Sequence, residues 1–472
     1  MMTKETFDMM RNQKQLFFIT DEMEGDEVTP IVLYQRLAGN KTFLLESSLT
    51  HEDKGRYSFI GSDPYMEITS NGKVVNIISG TDVEQRQGKV LDVIRELLAF
   101  QKADSPFPFA GGAIGYVGYD VIRQYEEIGT ANNDELEMPE THLLFYQAFT
   151  VYDHKLQKVS FVYVYRPQEE TSYEQVQEML TDMKTKAQRQ SAPATPVAKL
   201  KAEFHSNIKE DEFYEMVNRA KEYIKAGDIF QVVLSQRLRT IFDGDPFGLY
   251  RRLRITNPSP YMFYVDFGSY TVLGSSPESL LSVKGDKVIT NPIAGTRPRG
   301  RDKEEDEKIA KELRGNEKEK AEHLMLVDLG RNDLGLVSEI GTVKPEKFME
   351  IERYSHVMHL VSEVSGQLRE GVTCLDALQY CLPAGTVSGA PKIRAMTIID
   401  ELENKKRGVY AGTVGYISFN GDMDMALAIR TMVVKDNKAY IQAGAGIVYD
   451  SEPEAEYMET INKAKALLEV LS

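Results

Sequence analysis

Two pairs of glutamates are spaced so that each pair can present two carboxylates from one face of a helix. The first pair is Glu319 and Glu322 in "EKEKAEHLMLVDLGRND", and the second is Glu456 and Glu459 in "SEPEAEYMETINKAKALL". Residues three apart share a helix face. Mg²⁺ binds through one or two carboxylates and keeps water or substrate oxygens in its other positions. The spacing therefore favours a magnesium site that binds an organic acid, with solvated surface glutamates as the alternative.

The two pairs differ in how well that alternative fits them. Glu322 lies in line with Met325 and Leu326, on a helix that is apolar almost all round over residues 324–329. A carboxylate that enters a buried helix must be paired, protonated or bound to a cation, because its desolvation alone costs too much. The second pair lies opposite the apolar side of its helix with Lys463 one turn on, so a surface ion pair would also satisfy it.

Groups suited to binding an anion occur elsewhere in the chain. Arg430 interrupts the apolar stretch "MALAIRTMVV", predicted to be one strand, where its guanidinium needs an acceptor such as a carboxylate. Gly444, Ala445 and Gly446 in "QAGAGIVYD" follow another predicted strand and offer bare N–H groups to an anion. The segment "PAGTVSGAPK" lacks the spacing of a phosphate loop, so ATP is not indicated. Together these groups predict a site for a small, multiply anionic molecule.

The composition excludes several classes of partner and location. The 472 residues are 42% hydrophobic and 27% charged, as in ordinary globular proteins, and the net charge is −16. Such a charge argues against a nucleic acid or an anionic membrane as partner. No apolar run suits a membrane span or a signal peptide, and the two cysteines make no disulfide framework. We therefore expect a cytoplasmic protein.

The elements that must position these groups predict an α+β fold with largely antiparallel sheets. Short segments such as "KTFLLESS" and "GRYSFIGS" alternate as strands do, and residues 302–330 form a charge-dense stretch predicted to be helical. The small-residue, proline-containing stretch that begins at residue 191 is the best linker. The predicted organisation is an N-terminal α+β domain at 1–190, a linker at 191–203 and a larger domain at 204–472.

Seven segments, in the order in which they occur, resemble the chorismate-utilising enzymes. They are "KAGDIFQVVLSQR", "GSSPESLL", "NPIAGTRPRG", "AEHLMLVDLGRND", "HVMHLVSEV", "PAGTVSGAPKIRAM" and "IQAGAGIVYDSEPEAEY". The resemblance implies a sandwich-like core of antiparallel sheets flanked by helices, with 204–472 as the chorismate-binding catalytic domain. Chorismate carries two carboxylates, which agrees with the anion-binding groups described above.

The resemblance also implies roles for individual residues. It implies that Glu322 and Glu459 bind Mg²⁺, and that Glu319 and Glu456 support these two ligands without binding the ion themselves. Glu278, in "SSPESLL", resembles the acid that protonates the departing C4 hydroxyl of chorismate. The implied chorismate contacts are Gly295, Thr296, Tyr410, Arg430, Gly444, Ala445 and Gly446, with His359 as a further active-site residue.

Two positions indicate which nucleophile is used. Ala294 stands where relatives that make aminodeoxychorismate have a lysine whose amine attacks the ring. Gln231 stands where relatives that add water have a lysine base, and an amide cannot serve as that base. The resemblance is therefore to the branch in which ammonia attacks C2 and loss of pyruvate yields anthranilate, the first step of tryptophan biosynthesis.

Ammonia must then come from another chain, because neither Cys374 nor Cys381 resembles the nucleophile of a glutamine amidotransferase. The resemblance implies a separate amidotransferase subunit in a hetero-oligomer. Three alternatives stay open: an aminodeoxychorismate-forming component, opposed by Ala294; an isochorismate or salicylate synthase, opposed by Gln231; and a non-catalytic tryptophan sensor, opposed by the complete set of acidic residues.

Two further segments resemble a feedback site for L-tryptophan in this family. They are "LLESS" at 44–48 and "NPSPYMFY" at 257–264, one in each predicted domain. The residues that the resemblance carries over are Ser47, Pro260, Tyr261 and Met262. A strand end and a turn are the structural alternatives. A ligand that bridges both parts could regulate the enzyme if it binds one conformation better than another.

Overall fold

Two large antiparallel sheets lie face to face and carry helices on their outer sides. The computed structural model describes residues 2–47, 55–130, 132–167, 169–189, 203–353 and 357–471. Within these residues the α-helices are α1 (Lys4–Asn12), α2 (Pro30–Arg36), α3 (Val90–Leu98), α4 (Tyr173–Ala187), α5 (Glu210–Ala226), α6 (Pro246–Thr256), α7 (Lys303–Gly315), α8 (Glu317–Gly335), α9 (Cys374–Cys381), α10 (Lys392–Leu402) and α11 (Pro453–Leu471). Short 3₁₀ turns occupy Tyr119–Gln124 and Gly385–Val387.

Twenty-four strands of the described chain are shared equally between the sheets. They are β1 (Phe17–Glu24), β2 (Phe43–Glu46), β3 (Tyr57–Gly61), β4 (Met66–Asn71), β5 (Val74–Ser79), β6 (Asp82–Gln87), β7 (Gly112–Val117), β8 (Thr141–Tyr146), β9 (Ala148–Asp153), β10 (Lys158–Tyr165), β11 (His205–Ser206), β12 (Gln231–Ile241), β13 (Tyr261–Asp266), β14 (Tyr270–Ser276), β15 (Ser279–Lys284), β16 (Lys287–Thr290), β17 (Ile293–Pro298), β18 (Lys344–Arg353), β19 (Val357–Gln367), β20 (Gly389–Ala390), β21 (Thr413–Ser418), β22 (Met423–Leu427), β23 (Thr431–Lys435) and β24 (Lys438–Ile447).

Both sheets interleave strands from distant parts of the chain. The first runs β1-β10-β9-β3-β2-β13-β14-β23-β24-β12-β11, with β20 beside the end of β12. The second runs β17-β19-β16-β15-β22-β21-β7-β8-β4-β5-β6, with β18 also beside β19. The predicted α+β fold with antiparallel, sandwiched sheets is confirmed.

The core between the sheets is held by aromatic packing and by hydrogen bonds that cross from one sheet to the other. The rings of Phe59 on β3 and Tyr416 on β21 lie 6.2 Å apart. The Tyr270 hydroxyl of β14 lies 3.0 Å from the Tyr116 hydroxyl and 2.6 Å from His142 Nδ1, both on the opposite sheet. Buried polar groups must find such partners, so these bonds fix how the sheets face each other.

The helices that carry the two glutamate pairs pack against opposite sheets. Helix α8 packs on β17 and β19 of the second sheet, and α11 packs on β24 of the first. Asn316 starts α8, because its side chain accepts hydrogen bonds at 3.1 Å from the N–H groups of Lys318 and Glu319. The fold therefore brings the glutamate pairs together from two separate layers.

One predicted element is interrupted and another is wrong. Residues 302–330 are helical as predicted, but the chain leaves the helical conformation at Asn316 and divides the stretch into α7 and α8. The stretch "MALAIRTMVV" is not one strand, because β22 belongs to the second sheet and β23 to the first. Alternation of apolar residues signals strands, but it does not reveal a crossing between sheets.

The predicted domain boundary does not coincide with a boundary between sheets. Strand β2 pairs with β13, and β7 pairs with β21, so residues before 190 contribute strands to both sheets beside later ones. The predicted linker lies outside the described residues except for residue 203. The division into 1–190 and 204–472 stays a prediction.

Within the described part of the chain, no helix is long and apolar enough to cross a membrane.

Candidate functional site

One cavity of about 1190 Å³ brings most of the predicted site residues together. Its walls come from both sheets and from the two helices α8 and α11. Among the predicted residues, it is lined by Glu278, Gly295, Thr296, Glu319, Glu322, His359, Tyr410, Arg430, Gly444, Gly446, Glu456 and Glu459. Ala294 and Gln231, the positions predicted to distinguish the nucleophile, line the same cavity.

The first glutamate pair enters the cavity from the start of α8. Glu319 Oε1 lies 3.1 Å from Arg297 Nη1. Glu322 is half-buried, and its pKa is raised first by burial and then by the nearby charge of Glu319. The predicted all-round apolar helix is wrong, since Leu324 is 45% exposed. Glu322 nevertheless faces the cavity, so a neutralising partner would favour its charged form.

The second pair enters from α11 and includes the ion pair that the sequence offered as an alternative. Glu459 Oε1 lies 2.7 Å from Lys463 Nζ, and both side chains are about half exposed. Glu456 is more enclosed, and its pKa is raised by burial and further by Glu459. The buried face of this helix runs through Thr460 and Ala464. Met458 lies outside that buried face and is 46% exposed.

The four carboxylates form a donor set that suits a hard divalent ion. Burial and like charges raise the pKa of Glu322 and Glu456, and a cation between the helices would relieve both effects. In the described chain, however, no three His, Cys, Asp or Glu side chains are close enough to hold an ion alone. An ion held by one carboxylate from each helix would therefore complete its coordination with water or ligand oxygens, as Mg²⁺ does.

Glu278 is a buried carboxyl group whose pKa lies near neutral pH. It is 8% exposed, and its Oε1 accepts a hydrogen bond of 2.9 Å from the Thr386 hydroxyl. Burial raises its pKa to about 7, although the hydrogen bond and the charges of Lys463 and Arg430 oppose the shift. A carboxyl group with this pKa can give up a proton at physiological pH, as a general acid must.

Arg430 lies where the chain crosses between the sheets, which corrects its predicted position within a strand. It follows β22, precedes β23 and has a φ of +47°, in the left-handed region. Its guanidinium has no hydrogen-bond or ion-pair partner among the described residues, although the Glu278 charge acts on it. A buried guanidinium without a fixed acceptor suits a carboxylate of a bound ligand.

The glycines after residue 443 lie inside β24, not beyond it as predicted. The hydrogen-bond pattern between β24 and β12 therefore determines which of their N–H groups are available to a ligand. The facing residues Val233 and Ser235 donate their own N–H groups to the other side of β12, to Ser388 O and Glu403 Oε1 at 2.9 Å. These two residues therefore form the non-hydrogen-bonded pairs with Gly446 and Gly444.

Consequently the N–H groups of Gly444 and Gly446 point away from β12, towards the space beyond the end of β23. That strand pairs with β24 only as far as Ile441. Ala445 instead pairs with Leu234 and is fully buried, so it does not line the cavity. The structure thus gives a possible anion cradle to two of the three predicted residues. Lys463 Nζ donates to Gly444 O at 3.1 Å.

A bulge in β17 positions the loop residues next to His359. The pairing with β19 slips between Ala294 and Thr296, and the extra residue Gly295 has a φ of +62°. A Cβ on Gly295 would lie 2.9 Å from Glu319 Oε2, and the positive φ also favours glycine there. His359 Nδ1 lies 3.1 Å from both Gly295 O and Thr296 Oγ1.

The neutral ring of His359 has a defined tautomer. A carbonyl oxygen only accepts, so Nδ1 carries the proton in its bond to Gly295 O. Burial lowers the pKa of this histidine to about 4. His359 is therefore uncharged at neutral pH, and it can interact with a ligand through a neutral imidazole only.

Sequence reasoning missed two side chains that line the cavity and contact predicted residues. Thr386 lies in "PAGTVSGAPK", which was considered only for phosphate binding, yet its hydroxyl holds Glu278. Lys463 was treated as a surface partner of Glu459, yet it also reaches Gly444. The signal for Lys463 was its position one turn after Glu459 on the same helix face.

The segments predicted to bind tryptophan are brought together at another place. Strands β2 and β13 are neighbours, with Glu46 opposite Met262, so Ser47 lies next in register to Tyr261. Glu46 is buried and accepts hydrogen bonds from Tyr250 and Arg254. Pro260 lines the large cavity, whereas Ser47, Tyr261 and Met262 do not.

The chain is similar to known proteins over nearly its whole length. The sequence profile described as "chorismate binding enzyme" matches residues 42–469. "Anthranilate synthase component 1" of Acetivibrio thermocellus is 47% identical, with 99% of this chain and 98% of that protein covered. The protein of the same name from Aquifex aeolicus is 46% identical, with 95% and 93% covered. The crystal structure of anthranilate synthase component I from Streptococcus pneumoniae TIGR4 superposes with a TM-score of 0.82 at 44% identity, covering 94% and 98%.

Burial of Glu278 predicts a pH-dependent cost in stability. Its pKa is about 7 in the folded chain, and the ordinary value is 4.5. Between pH 4.5 and pH 7 the folded state therefore holds a proton that the unfolded state has lost. The stabilisation is complete below pH 4.5 and is lost as the pH rises through 7. Glu278→Gln should therefore raise the free energy of unfolding by up to about 3 kcal/mol at pH 8, with little gain at pH 5, in urea titrations.

The exposed Glu454 on α11 offers the matched control. Glu454→Gln should leave the free energy of unfolding within about 0.5 kcal/mol of the parent at both pH values. An equal effect of Glu278→Gln at pH 5 and pH 8 would contradict the assigned protonation.

Proposed function

Since the chain belongs to the chorismate-binding enzyme family, we propose that it converts chorismate and ammonia to anthranilate and pyruvate. Relatives named anthranilate synthase component 1 match it at 43–47% identity over nearly its whole length. The observation that carries the proposal is the composition of one cavity. It combines acidic side chains from two helices, an arginine that has no hydrogen-bond or ion-pair partner among the described residues, and a buried carboxyl group with a pKa near 7.

The cavity offers a separate partner for each part of chorismate. Glu322 and Glu459 would hold Mg²⁺, with Glu319 and Glu456 beside them, and a bound Mg²⁺ would polarise the ring that carries the carboxylate. The guanidinium of Arg430, which has no partner in the described part of the chain, suits the second carboxylate. The outward N–H groups of Gly444 and Gly446 would add further donors to the same anionic ligand. Tyr410, buried beneath the glycines, would limit the depth of the cavity.

Glu278 is the group best suited to assist departure of the C4 hydroxyl. Its carboxyl group is protonated below about pH 7, and the Thr386 hydroxyl fixes one of its oxygens. Donation of that proton lets the hydroxyl leave as water, and such positioned acids contribute roughly 10²–10⁴-fold to rates. His359 would contact the ligand as a neutral ring, held in one orientation by Gly295.

Two side chains favour ammonia as the nucleophile. Ala294 lines the cavity with only a methyl group, so the protein supplies no amine of its own at that position. Gln231 lines it with an amide, which cannot take a proton from water as a basic amine would. Both features disfavour the aminodeoxychorismate-forming and water-adding alternatives.

The name of the relatives supports a second component as the source of ammonia, and we propose a glutamine amidotransferase subunit in that role. Cys374 and Cys381 are buried, and burial raises the pKa of both thiols, which makes them poor nucleophiles. Neither cysteine forms a disulfide within the described chain, which agrees with a cytoplasmic location. The assembly would be a hetero-oligomer.

We also propose that L-tryptophan inhibits the enzyme by binding beside β2 and β13. Ser47 and Tyr261 are neighbours in register, and Pro260, next to Tyr261, lines the large cavity. A ligand that contacts Ser47 and Met262 would thus lie within two residues of Pro260 on the wall of the large cavity. Inhibition requires that tryptophan bind one conformation of this junction better than the other.

The function is tested by product identification. The purified chain with chorismate, Mg²⁺ and a high concentration of ammonium should release anthranilate, which fluorescence and chromatography identify. Glutamine in place of ammonium should give no product, because the chain has no amidotransferase nucleophile. Release of aminodeoxychorismate or isochorismate instead would overturn the proposal, and turnover with glutamine alone would overturn the two-subunit arrangement.

The proposed magnesium ligand is tested by Glu322→Gln. The variant should lose about 100-fold or more of the Mg²⁺-dependent rate, because the amide does not offset the charge of the ion. It should fold at least as well as the parent, since burial and Glu319 destabilise the charged form of this group. The exposed Glu317 on the same helix gives the control Glu317→Gln. Near-normal activity of Glu322→Gln would show that this residue does not bind the magnesium ion and has only a structural role.

The proposed regulatory site is tested by Ser47→Ala. Loss of one hydrogen bond to the ligand should raise the tryptophan concentration for half-inhibition by up to about tenfold. The KM for chorismate should stay unchanged. Ser79→Ala, at an exposed strand end of the other sheet, is the control. Unchanged inhibition in Ser47→Ala would exclude this serine from the binding site.

A further inference from the structure

A second, smaller cavity adjoins the large one at Glu278. It has a volume of about 40 Å³ and lies among β15, α8, the end of α9 and the turn at 384–386. Glu278, Leu326 and Thr386 line both cavities, so these side chains form the wall between them. The carboxyl group proposed as the acid therefore borders a compartment that the substrate does not occupy.

The small cavity is lined by polar groups that would be stabilised by bound water. The Ser279 hydroxyl is buried and has no hydrogen-bond partner among the described residues. A buried hydroxyl left unsatisfied costs about 1–3 kcal/mol, and a water molecule needs roughly 10–15 Å³ of such space. The cavity has room for about two or three waters. Water there can bond to Ser279, Glu278 and Asp333, which line the same cavity.

Asp333 connects this cavity with the protein surface. It is 8% exposed, lines the small cavity, and its Oδ2 lies 2.7 Å from Lys392 Nζ. Lys392 also donates to Tyr380 O at 3.1 Å, and the Tyr380 side chain is 43% exposed. Burial raises the pKa of Asp333, although the charge of Lys392 opposes the shift. The side chains of Lys392 and Asp333 are 12% and 11% exposed, so the pair reaches from the cavity to the edge of solvent.

Neither member of this pair has a role in the proposed binding of chorismate. Asp333 lies eleven residues after Glu322 on α8, about 16 Å along the helix axis, so it is remote from the four carboxylates. Lys392 ends the segment "SGAPK", whose lysine is not accounted for by a phosphate loop. Both residues occur in segments dense with resemblance to the family, yet outside the large cavity.

The charged groups around the two acids are distinct. The charges of Lys463, on α11, and of Arg430, at the crossing between the sheets, act on Glu278. Asp333 experiences Lys392 from α10, and its own charge acts on the Cys381 thiol. The cations next to Glu278 therefore favour loss of its proton, and a source of protons on the side of the small cavity would restore it.

We propose that the small cavity is a water-filled proton path from solvent to Glu278, with Asp333 and Lys392 as its positioning residues. The proposal rests on the proposed role of Glu278 as the acid. After Glu278 has given its proton to the leaving hydroxyl, its carboxylate takes a proton from a cavity water. That water takes one from the next water, which the Asp333 carboxylate orients, and solvent restores the last donor, so no charge accumulates. The route works while chorismate or product fills the large cavity.

The test is the complete kinetic profile of Asp333→Asn with saturating ammonium. The variant should lose about tenfold in kcat without a change in the KM for chorismate, and the basic limb of its kcat–pH profile should move to lower pH. Its solvent deuterium isotope effect on kcat should rise, because proton return becomes rate-limiting. Imidazolium buffer should restore part of the rate in the variant and none in the parent.

A second variant tests the path without altering either acid. Cys381→Leu fills the small cavity with carbon and leaves the ion pair of Asp333 and Lys392 in place. It should reproduce the isotope effect and the buffer rescue. Asp328→Asn, an exposed carboxylate on the same helix, is the matched control and should behave as the parent. Thermal unfolding of each variant identifies loss of the fold.

The outcomes separate this proposal from the proposed function. If the parent chain forms anthranilate and both variants keep its isotope effect and pH profile, the proton path is wrong and the function stands. A lower kcat in Asp333→Asn without an altered isotope effect or buffer rescue assigns a purely structural role and also overturns the path. If the parent forms no anthranilate, the proposed function itself fails.

Discussion

The site depends on four carboxylates that converge, partly desolvated, on one cavity. Glu319 and Glu322 repel each other, and burial raises the pKa of Glu322 and of Glu456. Lys318 and Lys463 partly offset this repulsion, because each lowers the pKa of both glutamates across the gap between the helices. Such an arrangement is costly for an empty protein and favourable for one that binds a cation and an anion together. The rest of the architecture holds the two helices in these positions.

Backbone geometry complements the charges where side chains would obstruct the ligand. The bulge at Gly295 lets β17 approach Glu319 and turns a carbonyl towards His359. In β24, the alternation of the ladder leaves the N–H groups of Gly444 and Gly446 outside the pairing with β12. One sheet therefore fixes a neutral imidazole, and the other supplies donors for an anion. Their relative position depends on how the sheets are packed.

The interleaving of the sheets connects catalysis with the rest of the chain. Arg430 marks the crossing from β22 to β23, and its carbonyl accepts a hydrogen bond of 3.1 Å from the N–H of Ser275 on β14. Strand β14 also pairs with β13, which pairs in turn with β2. A change at Ser47 thus has a short route through hydrogen-bonded strands to the arginine. A discrete two-state rearrangement of these strands is what regulation would require.

The sequence by itself determined what depends on local spacing: antiparallel strands, the shared face of each glutamate pair, and the small residues at Ala294 and Gly295. It did not reveal that "MALAIRTMVV" crosses between sheets, that Leu324 is exposed, or that Ala445 is engaged in the ladder. Those features depend on pairing between distant strands and on which helix face is covered, neither of which a local pattern encodes.

The functional properties of Glu278 illustrate the same distinction. Its sequence neighbours identify it only through resemblance to a family. Its pKa near 7 arises because the folded chain buries it, whereas the hydrogen bond from Thr386, over one hundred residues away, opposes the shift and fixes one of its oxygens. The same folding creates the small cavity that links it to Asp333. Residue types and spacing thus follow from the chain, whereas burial and proton affinity arise only when non-local packing excludes water.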